Sequence, residues 1–465
     1  MTDYDQQIQR IKDKLIQAKQ ADTDLKVFGA ESHQYQFNPP ATESEVRAFE
    51  EAYSVQLPEC YRAFVMQVGN GGISFSKAGA GPYYGIYALG ENVNDLIYDN
   101  IKLYLKNDCL IYPKITTEEW NLILGRLDTD EELSDEEFEL ENGRVYGGIL
   151  PIGSQGCSYL HALILNGPHE GKVVNIDMDR RTPFFTFENN FLDWYERWLD
   201  EVISGELISE KAGMFGFNKG GTDETLLNTY LDSEDPEERN DCLWGLMNKM
   251  RLTKETLERV EELIRSGAEN KQTLIRILCK SDYGKARPYL LQLIETDLLH
   301  VFQTIFWYAK DKSPEWFPVI EENIHRITDA ETFRFCTYLL QESGENYSPL
   351  LIPFTKNKEE EIRVQAFYSL GTLKDRKDLV DVFIAGLNDE SNRVIHITLQ
   401  SLWEVKDERF LKHYRMIAEK FQEDENYILT NLEHRLKEYG LTVETIRNER
   451  MTNDSSKKKW YEIWK

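Results

Sequence analysis

The sequence has few cysteines and no long apolar segment. Its six cysteines are scattered, and no two have the Cys-x-x-Cys spacing of a metal or redox motif. Dispersed cysteines in a chain of 465 residues are typical of buried thiols in a reducing compartment. No apolar run reaches the roughly 18 residues that a membrane span needs, and the first residues lack the apolar core of a signal peptide. We therefore expect a cytoplasmic protein without a membrane span.

Positive charge is also scarce. The chain has 54 Lys and Arg residues against 81 Asp and Glu residues, which gives a formal net charge of -27. Such a surface repels nucleic acids and anionic lipids because both are densely negative. We therefore expect no nucleic-acid and no membrane partner, and the charge favours a basic protein instead. Many intracellular proteins are acidic without such a partner, so the charge alone leaves both interpretations open.

Local catalytic motifs are missing as well. The sequence contains no Gly-x-Ser-x-Gly elbow and no His-Glu-x-x-His pair. The glycine-rich segment 79–85 lacks the Lys-Ser/Thr of a P-loop, and Asp177 and Asp179 lack the further oxygen ligands of a cation loop. We therefore predict no catalytic residue, no cofactor and no metal site. A catalytic site assembled from distant residues leaves no local pattern, so an enzyme remains a third hypothesis.

Apolar periodicity predicts helices in the first part of the chain. Apolar residues recur at helical spacing over 4–18. Thr42 and Glu45 have the capping-box spacing, in which each side chain satisfies a free backbone N–H at the start of a helix. Pro58 suits the first turn of a third helix, which Gly69 is expected to end.

After residue 69, short β-branched runs alternate with glycine-rich turns. Such runs are too short for helices and are typical of antiparallel strands. A helix is predicted to close this unit over 190–199, because Phe191, Trp194 and Trp198 repeat at helical spacing. The predicted strands lie at 71–73, 85–89, 148–153, 162–165 and 172–176.

The second half of the chain has a different pattern. We interpret the glycine-rich segment 206–221 as a linker. Helical periodicity then continues over 222–450, and residues 451–465 form a tail. The pattern at 362–375 returns about 32 residues later, which predicts stacked helical hairpins.

Residues 43–72 carry a motif that resembles the start of SUKH-superfamily domains. In that family an acidic helix precedes a Leu-Pro-x-x-Tyr-x-x-Phe helix and a Gly-x-Gly-Gly break. The strand and turn around Pro151 and Gly153 are similar to the family's central strand, and Trp194 stands in a closing Phe-x-x-Trp-x-x-x-x-Leu helix. The residues that match the first motif are Leu57, Pro58, Tyr61, Phe64, Gly69, Gly71 and Gly72.

The resemblance implies an α+β domain over 37–205, with an antiparallel sheet and flanking helices, after a helical segment at 1–36. This sequence departs from the family by an acidic insert around 99–142. Bacterial members of the superfamily are mostly immunity proteins that neutralise a secreted toxin, often a nuclease or a deaminase. Fungal members regulate cell-wall synthesis. The resemblance therefore implies a non-catalytic protein that binds another protein.

The segment 362–375 resembles a HEAT-type repeat, in which Ile-Arg-x-x-Ala-x-x-x-Leu-Gly opens one helix. The second copy departs from this pattern, with Ile395 and Trp403 where the first has Arg363 and Gly371. HEAT arrays are solenoids that bind proteins. The resemblance thus implies an all-α solenoid of HEAT-like hairpins over 222–450.

The acidic segment 128–141 is the candidate partner-binding site. Nine of its fourteen residues are Asp or Glu. Blocks of like charge are often solvated loops, but an acidic surface with interleaved apolar anchors also suits a basic partner. The candidate residues are Asp128, Asp130, Glu131, Glu132, Leu133, Asp135, Glu136, Glu137, Phe138 and Glu139.

The favoured hypothesis combines these observations. It is an immunity protein that neutralises a basic toxin, such as a nuclease, by occluding it. The alternative is an intracellular adaptor or regulator that acts through its helical-repeat surface.

Overall fold

The computed structural model describes residues 4–129, 133–208, 214–421 and 427–448. The chain divides into two compact units, residues 1–259 and 260–465. The described residues before about 208 contain one four-stranded antiparallel sheet and several helices, and those from 223 to 448 are helical. The predicted fold class is thereby confirmed.

The first unit is built around its sheet. The strands are β1 (Ile149–Gly156), β2 (Tyr159–Ile164), β3 (Val173–Asp177) and β4 (Phe184–Phe185), and they pair in chain order. The helices are α1 (Asp5–Ala21), α2 (Ala30–His33), α3 (Glu43–Tyr53), α4 (Glu59–Gln67), α5 (Ile101–Tyr104), α6 (Thr117–Leu124), α7 (Asp135–Val145), α8 (Phe191–Ile203), α9 (Asp223–Asp232) and α10 (Pro236–Asn248). The helix α11 (Lys254–Ser266) contains the division between the units.

Both faces of the sheet are covered. Strand side chains point alternately to opposite faces, and here both sets are apolar. Leu150, Leu163 and Val173 face a core formed with α1, α3, α4 and α8. Ile149 and Ile164 face a second core, which also contains Trp120 and Leu124 of α6. The insert predicted at 99–142 therefore contains helices that cover one face of the sheet.

Three predicted strands are observed, and two predictions are wrong. The runs at 148–153, 162–165 and 172–176 correspond to β1, β2 and β3. The runs at 71–73 and 85–89 are not strands, and their region contains a single bridge between Gly79 and Ile86. Tyr87 N–H donates to the Ile152 carbonyl over 2.8 Å, so this segment follows the free edge of β1. Instead of forming a strand ladder, the backbone at Gly85 passes very close to the backbone at Gly79. A Cβ on Gly85 would lie 1.9 Å from the Gly79 carbonyl oxygen.

The helix α4 packs mainly against α8. The rings of Tyr61 and Phe64 each lie 5.0 Å from the ring of Phe191, and Phe64 lies 4.7 Å from Tyr195. Leu57, Tyr61 and Phe64 are buried. The rings of Tyr61 and Phe64 contact the closing helix, and the core they belong to also contains Leu163 of the sheet.

The described residues of the glycine-rich segment pack against β4 and α8. Residues 209–213 of the predicted linker lie outside the described residues. Phe215 is buried beside Trp194, at 5.9 Å between ring centroids. Phe217 stacks on Phe184 of β4 at 5.4 Å. The domain division at 206–221 stays a prediction, and residues 214–217 are in contact with the preceding fold.

The second unit is all helical in its described residues. Helices adjacent in the chain pack together, such as α12 with α13 and α15 with α16, and each of α14, α16, α18, α20 and α22 contacts the next in that order. This arrangement is solenoid-like. The helices are α12 (Lys271–Ser281), α13 (Tyr283–Leu293), α14 (Leu298–Tyr308), α15 (Ser313–Asn323), α16 (Ala330–Ser343), α17 (Ser348–Leu351), α18 (Glu360–Gly371), α19 (Val380–Leu387), α20 (Asn392–Ser401), α21 (Arg409–Lys420), α22 (Tyr427–Lys437) and α23 (Val443–Asn448).

The two copies of the predicted repeat lie on contacting helices of this series, α18 and α20. In the first copy, buried Arg363 donates to both carboxylate oxygens of Asp389, each over 3.0 Å. Asp389 stands just before α20, so this bidentate pair joins α18 to the segment that leads into α20. Ile395, which the second copy has in place of the arginine, cannot form such a pair.

Candidate protein-binding surface

The acidic segment forms a helix in its second part. Ser134 caps the N-terminus of α7 by accepting a hydrogen bond from Glu137 N–H over 3.3 Å. The Glu137 carboxylate accepts hydrogen bonds from Ser134 N–H and Ser134 O–H in return, which completes a capping box. The three acidic residues of the first turn also favour the positive end of the helix dipole. The part of the segment from Asp135 onward is therefore a capped acidic helix.

Two of the three apolar residues of the segment face the protein's own core. Leu133 and Phe138 are half-buried and pack against the second core, the one that contains Trp120 of α6. The guanidinium of Arg180 lies 5.6 Å from the centre of the Phe138 ring. These two candidate anchors therefore already have contacts within the domain. Leu140, on the same helix, is the exposed apolar side chain of α7.

Some carboxylates of the segment have hydrogen-bond partners inside the protein, and others have none among the described residues. Hydrogen bonds from Ser134 N–H and O–H and from Arg126 lower the pKa of Glu137 to about 2. Glu139 accepts a hydrogen bond from Asn100. Asp135 and Glu136 are exposed, and no hydrogen bond or ion pair to them occurs among the described residues. Asp128 is exposed too, whereas Asp130, Glu131 and Glu132 lie outside the described residues.

A surface cleft runs beside α7. It has a volume of about 220 Å³, and the segment 97–99 forms its opposite wall. Tyr98, 58% exposed, stands at the cleft, and Asp99, Asp135 and Glu139 supply three carboxylates. The sequence patterns predicted Asp135 and Glu139 but missed Tyr98 and Asp99. Tyr98 and Asp99 lie far from the acidic segment in the sequence, and only the fold brings them next to α7.

An adjoining cavity shares Tyr98, Phe138 and Asn142 with this cleft and is also lined by Asp95 and Tyr146. Tyr146 is 3% exposed, and its hydroxyl has no hydrogen-bond partner among the described residues. Burial raises the pKa of Tyr146 to about 12, so this hydroxyl is neutral. Burial also raises the pKa of Asp95, which lies 3.5 Å from the Tyr87 hydroxyl.

The residues of the family motif are structural in this fold. Leu57, Tyr61, Phe64 and Trp194 are buried, and Pro58 is the N-cap of α4. Gly71 has a φ of 67°, which favours glycine. Gly69 and Gly72 lie close to neighbouring chain segments, as do Pro151 and Gly153 in β1. A Cβ on Gly153 would lie 2.4 Å from the Gly85 carbonyl oxygen, so glycine is required there.

The comparison with protein families agrees with this geometry. Residues 40–197 match the SMI1 / KNR4 family (SUKH-1). We call residues 40–197 the SUKH-1 region. It contains the sheet, the helices α3 to α7 and most of α8, and therefore both α7 and its cleft. The resemblance predicted from the N-terminal motif is confirmed for this region. No curated protein matches the chain.

The match is consistent with a protein-binding role of the immunity or regulatory type, and the family is generally non-catalytic. Across the described ranges, no helix is long and apolar enough to cross a membrane. No group of three or more His, Cys, Asp or Glu side chains that would hold a metal ion occurs in the described part of the chain.

Proposed function

We propose that this chain is a non-catalytic protein that binds a basic protein partner on the acidic surface of α7. The observation that carries this proposal is the state of Asp135 and Glu136. Both are exposed on an ordered helix, and neither has a partner among the described residues. Unpaired carboxylates on a fixed backbone attract a basic surface without first losing a contact inside the protein.

The distribution of charge supports the same conclusion. Residues 1–259 contain 46 Asp and Glu residues against 24 Lys and Arg residues, whereas the remaining 206 residues contain 35 against 30. Most of the excess negative charge therefore belongs to the unit that contains the SUKH-1 region. A partner guided by electrostatic attraction would approach this unit first.

The biological role that fits best is immunity in the cytoplasm. A nuclease toxin needs a basic surface to hold phosphate, and an acidic inhibitor complements that surface. Binding would cover the toxin's substrate site, so inhibition needs no chemical step. The family match supports this role through the non-catalytic nature of its members.

A second candidate role is that of an adaptor acting through the second unit. We assign its helices to HEAT-like hairpins, with the Arg363–Asp389 pair as the supporting contact. The rings of Phe306, Trp307 and Phe335 cluster on α14 and α16, and Trp307 is 65% exposed. Exposed aromatic clusters are common at protein-binding surfaces.

Affinity capture distinguishes these two roles. The full-length protein, its Asp135→Asn/Glu136→Gln variant and its Trp307→Ala variant are used as baits in extracts of the source cells and of toxin-producing relatives. The proposal expects a basic protein that the double variant retains poorly and the Trp307→Ala variant retains fully. Retention that depends on Trp307 alone would favour the adaptor. Co-expression with the captured protein then shows whether the chain protects cells from it.

A further inference from the structure

The cleft beside α7 combines rings and carboxylates in one small space. Tyr98, in the segment 97–99, lines one wall of the cleft, and Phe138, on α7, lines the opposite wall. Asp99, Asp135 and Glu139 contribute three carboxylates, and no basic residue lines the cleft among the described residues. Tyr98 is well exposed, so its ring is accessible without any rearrangement of the fold.

This combination suits a planar cation. Guanidinium groups stack on aromatic rings and also donate paired hydrogen bonds to carboxylates. A lysine ammonium is a compact, strongly hydrated charge that makes less use of ring faces. Anions would be repelled by the three carboxylates, and an apolar side chain would leave those carboxylates desolvated and unpaired.

A cation already contacts one of these rings. The Phe138 ring has a guanidinium at 5.6 Å, that of Arg180, so this ring is placed for cation–π contact. Arg180 lines an adjoining cavity together with Tyr146, whose buried hydroxyl has no hydrogen-bond partner in the described residues. Because Arg180 already occupies that side, an incoming cation belongs in the cleft itself, beside Asp99 and Asp135.

We propose that this cleft is a specific pocket for an arginine side chain of the partner protein. The inference rests on the proposed function, because it names the partner group that anchors a basic protein on α7. The arginine inserts between Tyr98 and the helix and pairs with Asp99 and Asp135. The exposed carboxylate of Glu136 lies outside the cleft and acts on the approach of the partner.

The test uses a small probe in place of the partner. The probe is the peptide acetyl-Gly-Gly-Arg-Gly-Gly-amide, and its control has citrulline, a neutral group of similar shape, in place of arginine. Saturation-transfer NMR with the full-length protein measures both affinities at low salt. The pocket predicts that the arginine peptide binds and that the citrulline peptide binds at least tenfold more weakly, because both the charge and the carboxylate pairing are lost.

Variants locate the binding. Tyr98→Ala and Asp99→Asn should each weaken the arginine peptide by about three- to tenfold. Phe75→Ala is the matched control, since Phe75 is another exposed aromatic residue of the first unit at 66% exposure and lies outside the cleft. Equal binding of the two peptides, or arginine binding that survives both cleft variants, overturns the pocket.

The same experiment separates the pocket from the proposed function. If a captured basic partner depends on Asp135 and Glu136 while the arginine peptide fails to bind, the pocket is wrong and the function stands. If the arginine peptide binds in the cleft but no basic protein is captured, the pocket stands and the proposed function is wrong.

Discussion

The ring of Phe64 connects two helices of the SUKH-1 region. It is completely buried and contacts Phe191 and Tyr195 of α8. Phe64→Ala removes these contacts and leaves a cavity, so the free energy of unfolding of the first unit should fall by about 3–5 kcal/mol. Hydrogen exchange in increasing urea measures this for peptides of the first unit. Phe75→Ala, at an exposed ring, should change it by less than about 0.5 kcal/mol. Equal effects of the two changes would contradict the described core.

A buried histidine makes the first unit sensitive to acid. His161 lies beside Asn175 and Gln155, and burial lowers its pKa to about 3. In the unfolded chain a histidine has a pKa of about 6.5. Below that pH the unfolded chain takes up a proton that the folded chain does not, so stability falls as the pH drops from about 6.5 towards about 3. One such group contributes up to about 1.4 kcal/mol per pH unit.

The corresponding variant is His161→Gln. It should make the loss of stability between pH 6.5 and 5 shallower, whatever its effect on absolute stability. His169→Gln, at a half-buried position in a turn, should change this slope less. Urea unfolding at several pH values gives the slopes. An unchanged slope in the His161 variant would mean that this histidine is not held neutral.

Some residue roles were predictable and others were not. Leu57, Tyr61 and Phe64 have the spacing of one helix face, so their burial follows from periodicity. The inward direction of Phe138 does not follow from a segment in which charge dominates the composition. No sequence pattern indicated Tyr98 and Asp99, because the cleft exists only after the insert has folded against the sheet.

At the scale of elements, α7 depends on its cap. Ser134→Ala removes the side-chain acceptor for Glu137 N–H and should destabilise the helix by about 1 kcal/mol. Ser134→Asp keeps an acceptor at this position and should preserve the helix. Hydrogen exchange of the α7 amides distinguishes the two. If the amides exchange equally fast in both variants and in the unmodified protein, the cap does not hold α7.

The cap also shows which signal in the sequence was overlooked. Ser134 and Glu137 have the same spacing as Thr42 and Glu45, whose capping box is confirmed. The run of like charges obscured this pattern. The two wrong strand predictions have the opposite cause: β-branched residues suggested strands at 71–73 and 85–89, but glycines let the backbone approach itself too closely for a ladder. The strand β4 was missed because two residues are too short for any period.

At the scale of the whole molecule, the domain division predicted at 206–221 can be tested by limited proteolysis. Exposed glycine-rich segments are preferred cleavage sites, whereas a continuous helix such as α11 resists cleavage. We expect the first stable fragments to separate between about 205 and 225. Contacts of Phe215 and Phe217 should restrict cleavage after residue 214. Fragments that separate only within α11 would contradict this division.

The most direct test of the central claim is the association rate of the full-length protein with its captured basic partner at several salt concentrations. Exposed charges mainly affect association and its salt dependence. Asp135→Asn/Glu136→Gln should therefore slow association at low salt and flatten its salt dependence. Both substitutions of this variant leave Glu137 and its cap intact. Surface plasmon resonance that shows the same association rate and the same salt dependence for the unmodified protein and the double variant would contradict the claim that α7 receives the partner.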